Sequence, residues 1–192
     1  MDRIMEPESF WKEYSKQLNE ARNWDAYQNK TDWTKAVMQV AKKTYIEIAK
    51  KACEQPKLGT NKEYYRIDLI GYRREKENVD GNWWLDVAYE HENLDDWNNE
   101  LCKLCYVAAD LRVVSSYYRK DQAIEEELHT YLKDLRNEKI FRVPDSKWLL
   151  VFGPRLCCTD QPFKAFTINE ELSVIPVAGG EEVIPDRWQQ AP

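Results

Sequence analysis

Apolar and polar positions follow two different periods along this chain, and the switches between them mark its elements. Residues 1–30 are polar and aromatic, with Phe10, Tyr14 and Leu18 at every fourth position, which predicts one stripe of a helix in an N-terminal helical region. From Thr31 to Lys51 a longer helix is predicted. Val37, Val40, Ala41, Thr44, Ile48 and Lys51 keep helical spacing, Thr31 or Asp32 serves as its cap, and Pro56 and Gly59 close the region. The period then shortens. Residues 63–72 (EYYRIDLIGY) and 83–92 (WWLDVAYEHE) are rich in aromatic and β-branched residues and predict two strands. The charged stretch between them ends in Asp80-Gly81-Asn82, a turn signal, so the two strands read as an antiparallel hairpin.

A helix over about 95–109 follows, with Asn93 or Asp95 as its cap and Trp97, Leu101, Leu104 and Ala108 as its apolar stripe. Leu111–Tyr118 predicts the next strand. Asp121 caps a helix that reaches Asn137 and carries Ile124, Leu128, Tyr131 and Leu135 on one face. Residues 148–152, 163–168 and 172–177 predict further strands, and the tail after Gly179 has Trp188 as its main anchor. This order predicts an α/β fold. A central mixed sheet would combine the antiparallel hairpin with a strand reached through a helix crossover, flanked by helices.

A length of 192 residues suits one domain over 1–192, large enough to bury a core without staples. Eight Trp and eleven Tyr would supply much of that core area. A net charge of -6 and a pI near 5.2 argue against a protein that coats DNA by bulk electrostatics, while 28 Lys and Arg leave room for a local basic patch. Five cysteines, an odd number, with no apolar leader at Met1-Asp2-Arg3-Ile4, imply reduced thiols and a cytoplasmic location. No stretch reaches the roughly 18 apolar residues of a membrane span. Cys102 and Cys105 form a C-x-x-C on a predicted helix, but zinc would need a second pair beyond the adjacent Cys157 and Cys158, so buried thiols are expected. Phosphate-loop, dinucleotide and serine-hydrolase motifs are missing.

The chemistry concentrates in acidic side chains of the hairpin. Strand alternation places Trp84, Asp86, Ala88, Glu90 and Glu92 on one face, and Asp68 can join Glu90 and Glu92 in a suitable register. Three converging carboxylates would repel one another without a cation, and Mg²⁺ is the natural one. Lys103 follows Glu100 by three residues on the next helix and flanks its apolar stripe, from where it can lean towards the carboxylates. His91, between the two acids, faces the other side and is expected to be packed or exposed rather than a base. Arg73, Arg74 and Lys76 are expected in a mixed-charge loop, and Glu125 to Glu127 on a solvated helix face.

The runs IDLIGY (67–72), YEHEN (89–93), ELCKL (100–104) and LRVVSSYY (111–118) resemble the core of the PD-(D/E)XK, or restriction-endonuclease-like, nuclease superfamily. The resemblance covers roughly 35–120, leaving strands at 147–177 and a tail outside that core. It implies that Asp68 is the first metal-holding acid and Glu90 the second. The usual Lys two positions on is replaced by Glu92. Two variants of the superfamily accommodate this: Glu in place of Lys, or a Lys moved to the following helix, as Lys103 would be. Glu47 resembles an additional acid that some members carry in the first long helix. The activity so implied is metal-dependent hydrolysis of phosphodiester bonds, with Mg²⁺ or alternatively Mn²⁺ held by Asp68, Glu90, Glu92 and Glu47, and with Lys103 near the attacking water. The implied partner is nucleic acid, DNA ahead of RNA, with room for a protein partner or a homodimer and no role for a membrane. A second reading is a catalytically inactive protein of the same fold that serves as an interaction or regulatory subunit, which the acidic pI and the missing strand Lys favour, and a third is an unrelated α/β binding protein whose carboxylates are incidental.

Overall fold

The computed structural model describes residues 4–52, 57–64, 66–74, 83–93, 96–119, 123–137 and 147–190. Three helices come first: α1 (Pro7–Ala21), α2 (Trp24–Gln28) and α3 (Lys30–Ala52). Pro7 opens α1, where a missing N–H is no loss, and the predicted stripe of Phe10, Tyr14 and Leu18 is buried together with Trp11. Helix α3 is capped by neither Thr31 nor Asp32. The Asn29 side chain accepts the N–H groups of both, at 3.0 and 3.3 Å, from just outside the apolar pattern. Val37, Val40, Ala41 and Thr44 are buried as expected, whereas Lys51 is exposed and pairs with Glu13 of α1 at 3.2 Å.

Among the described residues seven strands follow: β1 (Lys57–Tyr64), β2 (Ile67–Arg74), β3 (Trp83–His91), β4 (Leu111–Tyr118), β5 (Lys147–Pro154), β6 (Lys164–Ile168) and β7 (Val174–Pro176). They form one mixed sheet in which each strand lies beside its neighbour in sequence. The expected strand 63–72 is in fact two. Arg66 takes a φ of 65° and turns the chain, leaving Tyr64 at the end of β1 and Ile67 at the start of β2. No Gly or Pro marks this turn, so the aromatic run hides it. Strands β1, β2 and β3 are antiparallel. The β3–β4 and β4–β5 pairs are parallel and are bridged by α4 (Trp97–Leu104) and α5 (Ile124–Asn137), and β5, β6 and β7 are antiparallel again. Ala108, expected in the α4 stripe, lies exposed beyond that helix. Position Asp96 starts α4 without a side-chain cap, and Asn93 bonds elsewhere. Asp95, Asp121, Lys76 and the Asp80-Gly81-Asn82 turn lie outside the described residues.

Helices α1 to α3 cover one sheet face with Val183 and Trp188 of the tail, and α4 and α5 cover the other. Sandwiched between them, β4 is buried along its whole length, as a strand covered on both faces should be. A bulge interrupts the β2–β3 pairing. Gly71 faces Val87 but Tyr72 faces Leu85, so Asp86 is the extra residue. The bulge changes the alternation that would put Asp86 and Glu90 on one face. Asp86 turns to α3, where the Tyr45 hydroxyl donates to it at 3.0 Å. Arg73, expected in a solvated loop, is buried in β2 and donates to Asp86 from Nη2 at 2.7 Å and from Nε at 2.9 Å. Gly71 makes this approach possible: a Cβ there would stand 2.7 Å from the Tyr45 ring. Among the described residues, no helix is long and apolar enough to cross a membrane.

Candidate active site

The C-terminal end of β3 collects the charged groups. Leu69 pairs with Tyr89 across the hairpin, so Asp68 and Glu90 each lie one residue beyond a paired position and opposite one another. Ile70 and Ala88, two residues away from them, belong to the core under α4 and α5, which places Asp68 and Glu90 on that same face. Asp68 is half-buried, and its Oδ2 accepts the backbone N–H of His91 at 2.8 Å. Glu90 is only 1% exposed. Lys103, near the end of α4, reaches it: Nζ stands 2.7 Å from Glu90 Oε1 and 2.7 Å from Glu100 Oε2. The Lys103 side chain is 33% exposed, so this one cation joins the buried carboxyl to solvent.

Burial pushes the Glu90 carboxyl up to about 8, and the charges of Asp68 and Glu100 add to the rise against the opposing pull of Lys103. Lys103 is raised: its own burial works the other way, but its bonds to Glu100 and Glu90 outweigh it. The two acids are hard oxygen donors, a chemistry that could take a small divalent cation once Glu90 has lost its proton.

The remaining predicted residues lie elsewhere. Glu92 follows the end of β3, and its N–H donates to the Ser115 carbonyl at 2.9 Å. Its charge helps raise the Tyr117 hydroxyl, which burial has already pushed well up, and Tyr117 belongs to the core on the α1–α3 face. Glu47 is on α3, which covers that same opposite face, and pairs with Lys50 at 3.5 Å. Among the described residues no group of three or more His, Cys, Asp or Glu side chains is placed to share a metal. Cys102, Cys105, Cys157 and Cys158 are free thiols, and burial with Cys102 close by pushes Cys105 up to about 11.

Behind the carboxylates runs a hydrogen-bonded chain that sequence reasoning missed. His91 Nε2 lies 3.2 Å from Asn93 Oδ1 and 3.2 Å from the Tyr117 hydroxyl. An amide oxygen only accepts, so Nε2 carries the proton and the neutral ring accepts at Nδ1 from Ser115 Oγ, 2.6 Å away. Burial holds His91 down to about 4, which keeps the ring neutral. Ser115 Oγ then accepts from the Tyr89 hydroxyl at 2.7 Å, and Tyr89 accepts from Tyr14 at 2.8 Å. At the other end the Asn93 amide donates to Thr34 Oγ1 at 2.6 Å, and Thr34 donates to the Lys30 carbonyl at 2.8 Å. The chain thus has one direction from α1, through β3 and β4, to α3. The only trace of it in the sequence is a His and a Ser at positions that strand alternation sends into the core.

No protein-family model matches the chain, and no curated protein matches it.

Proposed function

We propose that the protein is a metal-dependent nuclease with a restriction-endonuclease-like core that hydrolyses phosphodiester bonds of nucleic acid, DNA in first place. One observation carries this reading. Asp68 and Glu90 stand opposite each other on one hairpin face, with the Lys103 ammonium 2.7 Å from Glu90. That is the pattern implied by the PD-(D/E)XK resemblance when the Lys comes from the following helix. The position at the carboxyl end of β3, beside its parallel partner β4, is also where open α/β sheets place their ligands.

Asp68 and Glu90 would hold Mg²⁺ or Mn²⁺. Such an ion supplies an acidified water and neutralises charge on the phosphate. The side chains supply the rest. Asp68 is fixed by the His91 N–H, so its carboxylate stays beside Glu90. Glu90 must lose its proton to act as a ligand, and Lys103 next to it favours that loss. Lys103, anchored by Glu100, presents a cation at the solvent edge, where a scissile phosphate or the attacking water would meet it.

The test is cleavage of supercoiled plasmid and of single-stranded DNA with Mg²⁺ or Mn²⁺, beside Glu90→Gln and Lys103→Ala. Metal-dependent cleavage that both substitutions abolish supports the reading. Cleavage by Glu90→Gln at the parent rate, or no Mn²⁺ uptake by the parent protein, ends it. A second reading, an inactive protein of the same fold that acts as an interaction subunit, is favoured by the small acidic set: two facing carboxylates, one already neutralised by Lys103. Mn²⁺ uptake without cleavage of either substrate would select it.

A further inference from the structure

His91 is where the two sides of the sheet meet. Its backbone N–H points to the carboxylates and holds Asp68 Oδ2 at 2.8 Å, while its ring lies on the opposite face within reach of Ser115, Asn93 and Tyr117. A half-buried Asp left to itself would rotate into water. One hydrogen bond from β3 opposes that rotation. Its donor stays in place only if the end of the strand does, and β3 stops at His91. The Glu92 N–H holds this end from the β4 side through the Ser115 carbonyl, and the ring holds it from behind the sheet. Every polar atom of the imidazole is used, and the bonds that hold it lead to α1 through Tyr14 and to α3 through Thr34.

We infer that His91 is a positioning residue, whose ring, tied to Ser115, Asn93 and Tyr117 behind the sheet, fixes the N–H that keeps the Asp68 carboxylate beside Glu90. The inference rests on the reading of Asp68 and Glu90 as the cation-holding pair. It goes beyond that reading because it assigns a task to residues on the far face, which never touch substrate. A His that merely fills core volume would make a different set of demands: a similar apolar side chain would serve, and loss of the Ser115 or Asn93 bond would leave Asp68 where it is.

The experiment measures two quantities on the full chain. One is hydrogen exchange at the His91 amide by NMR, and the other is Mn²⁺ affinity by calorimetry. Ser115→Ala and Asn93→Ala each remove one hold on the ring, and Val37→Ala thins the same core without touching the chain of bonds. Exchange at His91 should accelerate by about tenfold or more in the first two variants, as for a locally released strand end. Mn²⁺ affinity should fall by roughly 10–100-fold, the usual effect of losing a group that orients a ligand. Val37→Ala should lower the melting temperature and leave both quantities near the parent values. His91→Asn, which can offer an acceptor to Ser115, should recover amide protection that His91→Leu loses. Unchanged exchange in Ser115→Ala and Asn93→Ala overturns the positioning role whether or not metal binds. Faster exchange with unchanged Mn²⁺ affinity overturns it too. A parent protein that takes up no Mn²⁺ overturns the cation reading, and this inference with it, even where the exchange result is as expected.

Discussion

Strand β3 carries two acid–base pairs that differ in almost everything but charge. Near its middle Asp86 meets Arg73. Both are buried, the guanidinium donates through two nitrogens, and Tyr45 adds a further donor to the carboxylate. At its end Glu90 meets Lys103. The acid is buried, the cation is one-third exposed, and a facing Asp68 raises the energy of the ionised acid. The first pair is satisfied and closed. The second is held in tension and open to solvent, a state that adds little to stability and leaves the groups free to act on something else. A single strand can hold both because the bulge at Asp86 sends the first pair towards α3 and the second towards α4.

The sharpest way to break this comparison is to remove one partner of the closed pair. Asp86→Ala leaves the Arg73 charge buried without its acid and should lower the unfolding free energy by about 3–5 kcal/mol, read from urea denaturation. Retention of parent stability would show that the pair is not closed. The open pair should respond in rate instead. Lys103→Ala should reduce metal-dependent cleavage on the order of 10²–10³-fold, or about 2.7–4 kcal/mol of activation free energy. Its urea midpoint at neutral pH should stay close to the parent, since Glu90, pushed up to about 8, already holds its proton there.

A smaller effect concerns pH. The folded-state value of Glu90, about 8, lies above the ordinary carboxyl value of 4.5, so the native state binds the extra proton between these limits. The stabilisation from this group is complete below that window and is lost as pH rises towards 8. Without added metal the slope should be at most about 1.4 kcal/mol per pH unit. Glu90→Gln has no proton to lose and should flatten the decline. A parent profile that rises from pH 5 to 8, with an equal rise in Glu90→Gln, would remove Glu90 as the cause. The smallest effect belongs to Glu47→Gln. Its pairing with the exposed Lys50 predicts a change within roughly 0.5 kcal/mol of stability and no change in cleavage.

The open pair was legible in the sequence and the closed one was not. Asp68, Glu90 and Lys103 sit where the hairpin period and the helix period are undisturbed, so alternation and i to i+3 spacing place them correctly. Asp86 and Arg73 straddle a bulge, and a bulge is a property of pairing between strands, invisible in either strand alone. The same holds for the end of β3. Alternation groups Glu92 with Glu90, but the strand has ended by then and the chain leaves its pleat. The elements from β2 onward and the parallel crossover at β4 were legible because both follow from local periodicity and connection length. The turn at Arg66 was not, since a positive φ without glycine leaves no mark in composition.

The plain order of the sheet, with each strand beside its neighbour in sequence, also says something about how the chain can assemble. Growth of the sheet needs no strand to slip between two that have already met, so pairing can advance from one edge to the other through short closures. Among the contacts that break this economy is an aromatic one. Trp188 lies 5.6 Å from the rings of both Tyr27 and Trp33, joining stretches of chain from either side of the entire sheet. That closure spans a long loop, and its entropy is recovered only when α2 and α3 are there to receive the indole. The aromatic seal therefore belongs at the end of folding, and it acts as a latch on a surface assembled before it.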